Sequence, residues 1–179
     1  MLILTFAGNH NFATAHAGRA RQNPSSQVSQ DLALDAKPTK LVYAKGEPVE
    51  LDITLRNVGK GSRIVARNLS LRMRIKLVIT SPDGKPVTSC GVISDEIVVL
   101  GGNYKTLAPG QVIHKRLTIT CDDAKDSRSS GYTFDRSGKY LFKAAYLLPV
   151  PKEEYKRAFP DADVIQGPIW AEPFTIEVR

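Results

Sequence analysis

Apolar and polar side chains alternate along several stretches of the chain, most regularly between Leu71 and Ile79. In an extended chain the apolar side chains of this stretch lie on one face, and Arg72, Arg74 and Lys76 lie on the other. At helical spacing the charges would surround the whole circumference, so the pattern favours a strand. Each of the five apolar side chains contributes about 1.5–3 kcal/mol when buried, which predicts a second layer against this face.

The same period of two recurs in other stretches, and Gly, Pro and Asn turn signals separate them. The strands predicted with most regular alternation are Val49–Leu55, Val112–Cys121, Tyr140–Tyr146 and Phe174–Val178. About seven strands with almost no helical periodicity predict an all-β fold of two packed antiparallel sheets.

The connection from Leu148 to Ile169 is longer than a usual link between neighbouring strands. Within it, Pro151–Phe159 has the composition of a short helix with proline near its start. The sequence therefore predicts a long, partly helical connection before the last strand.

Several short motifs resemble those of bacterial immunoglobulin-like domains. Tyr43–Val49, running into Asp52–Asn57, resembles their first long strand, and Leu107–Gln111 resembles the turn before their fifth strand. Asp135–Tyr140 is similar to the immunoglobulin-type corner, in which a tyrosine bonds back to the backbone, and Pro173–Val178 resembles the terminal strand.

This resemblance spans residues 32–179 and implies an immunoglobulin-like β-sandwich that serves as an accessory or adhesive module of an exported bacterial protein. The chain departs from antibody domains, because Ile53 and Phe142 stand at the inward positions where those domains carry a cysteine pair. A looser similarity to immunoglobulin-like proteinase inhibitors of bacteria adds inhibition as an alternative.

The N-terminus has features of a secretory signal. A short apolar run, Leu2–Ala7, precedes Ala15-His16-Ala17, which has the small-x-small form of a signal-peptidase site. We therefore predict a signal peptide over residues 1–17, a disordered Ser/Gln/Asn-rich leader over 18–30 and the sandwich domain over 31–179. A secreted or periplasmic location follows if the signal is real, and a cytoplasmic one if it is not.

Two cysteines, Cys90 and Cys121, are the only ones in the chain. In an exported protein they are candidates for one disulfide. The alternative is two separate buried thiols that behave as small apolar side chains.

The charge of +7 permits attraction to anionic partners but does not require it. The basic residues are spread along the chain, and no aromatic residues interleave with Arg72, Arg74 and Lys76, so nucleic acid is a disfavoured partner. The sequence contains no run of 18 or more apolar residues, so it predicts no membrane span.

Catalytic and metal-binding motifs are missing from the sequence. His114 is the only histidine after the predicted signal, and Gly-x-Ser-x-Gly, zinc spacing and a phosphate-binding glycine loop do not occur. The acidic loop with Asp122, Asp123 and Asp126 lacks the spacing of a helix–loop–helix calcium site. We therefore predict no enzymatic activity, no cofactor and no metal.

Two binding sites are candidates. The first is the long connection, where Tyr155, Arg157, Phe159 and Trp170 would contact a protein partner. The alternative is that Tyr155 and Phe159, four residues apart, pack a short helix onto its own domain.

The second is the row formed by Arg72, Arg74 and Lys76, which would bind an anionic polymer such as a polysaccharide or nucleic acid. The alternative is that Glu50 and Asp52 face these cations from a neighbouring strand.

Together these features predict an exported, non-enzymatic binding or structural module that acts through protein–protein or cell-surface interaction. An anionic-polymer binder and a proteinase inhibitor are the alternative functions.

Overall fold

The computed structural model describes residues 31–90, 104–121, 131–147 and 167–179. These residues form twelve strands: β1 (Leu32–Pro38), β2 (Val42–Tyr43), β3 (Glu50–Asn57), β4 (Arg63–Ala66), β5 (Ile75–Thr80), β6 (Ser89–Cys90), β7 (Tyr104–Leu107), β8 (Val112–Thr118), β9 (Gly131–Tyr132), β10 (Gly138–Tyr146), β11 (Ile169–Trp170) and β12 (Phe174–Val178).

Two larger sheets form a β-sandwich. The three-stranded sheet has the order β1-β3-β8, and both of its pairings are antiparallel. In the five-stranded sheet, β10 pairs with β5 on one side and with β11 and β12 on the other, and β2 adds to β12.

Alternating side chains of both sheets meet in one core. Leu51, Ile53 and Leu55 of β3 are completely buried, and Phe142 and Ala144 of β10 are completely buried opposite them in the same apolar cluster. The strands predicted around Val49–Leu55, Tyr140–Tyr146 and Phe174–Val178 are confirmed by β3, β10 and β12. The period of two found them because each has one buried and one solvated face.

The predicted fold class is wrong in its details, although the all-β β-sandwich stands. The described residues form four sheets, since β4–β7 and β6–β9 are separate two-stranded ladders, and β2 pairs with β12 in parallel. None of the described residues is helical. The predicted helix at Pro151–Phe159 lies outside the described ranges, as do the predicted signal (1–17) and leader (18–30).

The strand predicted over Leu71–Ile79 is wrong in its first half, because β5 begins only at Ile75. The chain turns at Arg72, which has φ of 66°, and the N–H groups of Arg74 and Ile75 both donate to the carbonyl of Ser70. Met73 is 48 % exposed, so it does not share the core face with Ile75. Alternation continues in the sequence across a turn that the pattern alone does not reveal.

The predicted tyrosine corner is present. The Tyr140 hydroxyl donates to the carbonyl of Arg136 at 2.9 Å, and the N–H of Arg136 donates back to that hydroxyl at 3.1 Å. The Tyr140 side chain itself is buried. This pair of hydrogen bonds fixes the entry of the chain into β10.

Cys90 and Cys121 are joined by a disulfide, with their Cα atoms 6.4 Å apart. Cys90 pairs with Gly131 in the β6–β9 ladder, and the Cys121 N–H donates to the carbonyl of Tyr132. A Cβ at Gly131 would lie 2.7 Å from the carbonyl oxygen of Ile119, so this close approach requires glycine.

Candidate functional site

Of the four predicted partner-binding residues, only Trp170 lies in the described part of the chain; Tyr155, Arg157 and Phe159 lie outside it. Trp170 belongs to β11 and pairs with Ala145 of β10. Its neighbour Ile169 is buried in the core, which turns the indole of Trp170 to the opposite, outer face of the sheet.

The register of the strands defines this outer face. Lys76 of β5 stands opposite Ala145, so Trp170, Ala145 and Lys76 form one row across three strands. The next row contains Lys143 opposite Val78. One row further, Leu141 lies between Thr175 and Thr80. Successive rows are about 7 Å apart, so Trp170 and Leu141 are separated by about 14 Å along the strands.

We call Trp170, Lys76, Val78, Lys143 and Leu141 the Trp170 face. Trp170 is 48 % exposed, Val78 41 % and Leu141 40 %. Together with Val42 of β2, the side chains of Trp170, Val78 and Leu141 are four of the eight large apolar side chains that the described residues expose. An aromatic side chain on a rigid strand beside exposed aliphatic groups is typical of a protein contact surface.

The charge on the Trp170 face is positive. Lys76 and Lys143 are exposed and make no ion pair with the described carboxylates. Glu177, the carboxylate nearest in the sheet, is already bound by Arg179 at 2.8 Å. That hydrogen bond holds the pKa of Glu177 below its usual value, with a smaller contribution from Lys139. No described carboxylate therefore offsets the positive charge of this face.

The predicted row of Arg72, Arg74 and Lys76 does not form a common strand face. Arg72 lies in the turn before β5, Arg74 is buried with 5 % exposure, and only Lys76 lies on the outer face of the sheet. Glu50 and Asp52 do not face these residues either, because they belong to β3 in the other sheet. The physical reason is the turn at Arg72, which breaks the alternation.

Arg74 lies beside Tyr104. Its guanidinium is 5.4 Å from the centre of the Tyr104 ring, and Nη2 donates to the tyrosine hydroxyl at 3.3 Å. Nη1 is buried and has no hydrogen-bond partner among the described residues, and no described carboxylate pairs with this side chain. A buried cation that no described anion accompanies is costly, since its lost hydration is only partly replaced.

His114 lies on the exposed outer face of the three-stranded sheet. Its Nε2 is 3.4 Å from Asp52 Oδ1, and Arg116 binds the same carboxylate at 2.9 and 3.1 Å. The hydrogen bonds from Arg116 lower the pKa of Asp52, and His114 contributes less. The three side chains form a cross-strand ion cluster, which explains these residues as a solvated face.

A groove of about 370 Å³ lies where the turn after β5 meets the corner before β10. Asp83 binds Arg136 at 2.5 Å and accepts a hydrogen bond from Ser81, which is the main reason that its pKa is lowered. The charged groups lining the groove are thus largely satisfied by one another. These groups have a structural role, because the pair of Asp83 and Arg136 joins the turn after β5 to the tyrosine corner before β10.

Among residues 31–90, 104–121, 131–147 and 167–179, no group of three or more His, Cys, Asp or Glu side chains could hold a metal ion. In the same ranges no helix is long and apolar enough to cross a membrane.

Val78, Lys143 and Leu141 were not among the predicted site residues. The available signal was their position in the alternation, since all three residues lie at strand positions whose side chains point to solvent. The aliphatic side chains of Val78 and Leu141 at such positions mark an exposed apolar patch. Their adjacency depends on the pairing of β5 with β10, which sequence spacing does not reveal.

No family model matches this sequence, and no curated protein matches it. Among solved structures, the chain is similar to the solution NMR structure of the CARDB domain of PF1109 from Pyrococcus furiosus, with 13% identity, 83% of this chain and 94% of that chain covered, and a TM-score of 0.38. The crystal structure of the same domain in complex with di-metal ions has 12% identity, covers 83% of this chain and 88% of that chain, and has a TM-score of 0.39. These likenesses are too distant to bear on function or on metal binding.

Proposed function

We propose that this protein is a binding module that holds a partner protein against the Trp170 face. The observation that carries the proposal is the half-exposed Trp170, placed on a rigid strand next to exposed aliphatic side chains. Tryptophan is enriched among the residues that dominate binding energy at protein interfaces. A sheet face loses little conformational entropy on binding, because its backbone is already ordered.

The charge of the face selects the class of partner. Lys76 and Lys143 flank the apolar residues and have no described ion-pair partner, so a protein surface that presents carboxylates around an apolar centre complements it. The net charge of +7 would speed the encounter with such a surface.

An exported location is part of the proposal. The disulfide between Cys90 and Cys121 supports it, because disulfides persist in oxidising compartments and are rare in reducing ones. The predicted signal over residues 1–17 supports it independently.

The only tryptophan of the chain reports directly on this site. Proteins retained from the source organism's extracellular and envelope fractions by the wild type, by Trp170→Ala and by the control Val58→Ala are compared, and the differential partner is purified. Val58 is a suitable control, since it is exposed but lies in the loop after β3. We expect the partner to bind wild type and Val58→Ala, to shift the Trp170 fluorescence to shorter wavelength, and to bind Trp170→Ala at least about tenfold more weakly.

Equal retention by all three variants, or binding without a change in Trp170 fluorescence, would contradict the proposal. Lys76→Glu with Lys143→Glu tests the charge separately, and we expect a slower association that added salt slows less than it slows the association of the wild type.

A further inference from the structure

Within the described part of the chain, the strand β8 leaves one edge of the three-stranded sheet open. Among those residues it pairs with β3 only, from Glu50–Thr118 to Arg56–Val112. The Ile119 N–H donates to the carbonyl of Val49, and the Thr39 N–H donates to the carbonyl of Glu50 on the other side of β3. In an antiparallel ladder these partners alternate, so the odd-numbered residues of β8 bond to β3.

The even-numbered residues Val112, His114, Arg116 and Thr118 therefore direct their backbone N–H and C=O groups away from β3. None of these groups has a backbone partner among the described residues. Asn68 lies beside the Lys115 side chain at this edge, where its Oδ1 accepts a hydrogen bond from Lys115 Nζ at 2.6 Å. A row of open donors and acceptors on a strand seven residues long matches an extended peptide backbone.

We propose that β8 binds an extended segment of a partner polypeptide by β-strand addition, with a carboxylate opposite Lys115. The segment adds as an antiparallel fourth strand. Its alternate residues continue the core face beside Ile113 and Leu117, which are 9 % and 7 % exposed at this margin of the core.

Charge selects this occupant over a second copy of the chain. Lys115 bonds only to the neutral amide oxygen of Asn68, so its charge has no described carboxylate partner, whereas Asp52 already neutralises Arg116. Antiparallel pairing of two β8 strands about their centre would place Lys115 opposite Lys115. Like charges directly opposite each other destabilise a strand pair, while an acidic residue stabilises it.

The probe is the acetylated and amidated peptide Thr-Val-Thr-Glu-Thr-Val-Thr, which places its glutamate opposite Lys115 and its valines beside Ile113 and Leu117. Its partner probe has lysine in place of glutamate. In the free protein we expect fast amide hydrogen exchange at His114 and Arg116 and slow exchange at Ile113 and Leu117. The glutamate peptide should protect His114 and Arg116, and the lysine peptide should not.

Two matched variants separate the backbone from the charge. His114→Pro removes one open N–H without removing a bond to β3, so we expect it to bind the glutamate peptide about tenfold more weakly than His114→Ala does. Lys115→Glu should reverse the preference between the two peptides. Both effects should appear unchanged in Trp170→Ala, which distinguishes this edge from the Trp170 face.

Three results would overturn the proposal. Slow exchange at His114 and Arg116 in the free protein at every concentration means that another part of the chain covers the edge. Slow exchange that grows with protein concentration identifies a second copy as the occupant. Peptide-induced protection elsewhere, or none, excludes strand addition at β8.

Discussion

Arg74 buries its guanidinium beside Tyr104, without a described carboxylate beside it. Its contacts with the Tyr104 ring and hydroxyl recover part of the lost hydration, and the unbonded Nη1 recovers none. Asn57 shows the opposite situation. Its side chain is also fully buried, but Nδ2 donates to the carbonyls of Gly61 and Leu107 and Oδ1 accepts from the N–H of Gly59. A buried amide that is fully bonded organises the loop after β3, whereas Arg74 weakens its surroundings.

We predict that Arg74→Met raises the free energy of unfolding by about 1–3 kcal/mol, because methionine fills a similar volume without a buried charge. Urea unfolding of the two proteins measures the difference. Arg74→Ala serves as the control, since it also removes the charge but leaves a cavity, and it should be less stable than Arg74→Met. A loss of stability in Arg74→Met would mean that the guanidinium has a stabilising partner.

At the scale of the strands, the sequence pattern predicts where single strands lie but not which strands pair. The alternation of β3, β10 and β12 was readable because each strand buries one face along its whole length. The alternation at Leu71–Arg74 was misleading, since nothing local distinguishes Met73 in a turn from Met73 in a strand. Only Trp170 and Lys76 of the Trp170 face were predicted, and the sequence assigned them to two different sites. Val78 and Lys143 join it through the register of β5 with β10, and that register is fixed by contacts far apart in the chain.

The cross-strand cluster of β3 and β8 makes a prediction about pH. Arg116 holds the pKa of Asp52 below its ordinary value of 3.8. A lowered carboxyl pKa stabilises the fold above the unfolded-state pKa, and this contribution is lost as the pH falls through the folded-state pKa. In Arg116→Ala we expect the pKa of Asp52 to rise toward 3.8 and the stability to depend less on pH in the acid range. NMR titration of the Asp52 carboxyl carbon measures the first effect, and urea unfolding at several pH values measures the second.

Lys37→Ala is the matched control for that experiment. Lys37 stands opposite Asp52 in the register of β1 with β3, but its ammonium group binds Asp35 at 2.7 Å. The pKa of Asp52 should therefore remain low in this variant. Equal titration curves for the wild type and Arg116→Ala would refute the assignment of the shift to Arg116.

At the scale of the whole molecule, the disulfide connects the two halves of the sandwich outside the main core. It joins the segment after β5 to the segment after β8, 31 residues apart in the sequence. Nearby, the buried Tyr132 hydroxyl donates to the carbonyl of Leu77, which connects β9 to the margin of β5, and burial raises the pKa of that hydroxyl. The disulfide and the Tyr132 hydrogen bond thus connect segments of the two main sheets, which share no backbone ladder with each other.

We expect the double variant Cys90→Ser with Cys121→Ser to lose about 3–4 kcal/mol of unfolding free energy, because the cross-link no longer restricts the unfolded chain. Chemical denaturation with and without dithiothreitol measures the loss. The reductant should destabilise the wild type to the level of the double variant and leave the double variant itself unchanged. Equal stability of the oxidised wild type and the double variant would contradict the prediction.

The parallel pairing of β2 with β12 has a consequence for biosynthesis. Val42 and Tyr43 take their sheet partners from Glu177 and Val178, so a growing polypeptide cannot complete this border of the sheet until residue 178 has left the ribosome. The five-residue ladder between β10 and β12 is subject to the same delay. A nascent chain of this kind remains incompletely folded during most of its synthesis, and its unpaired strands stay exposed to other chains until the last strand is made.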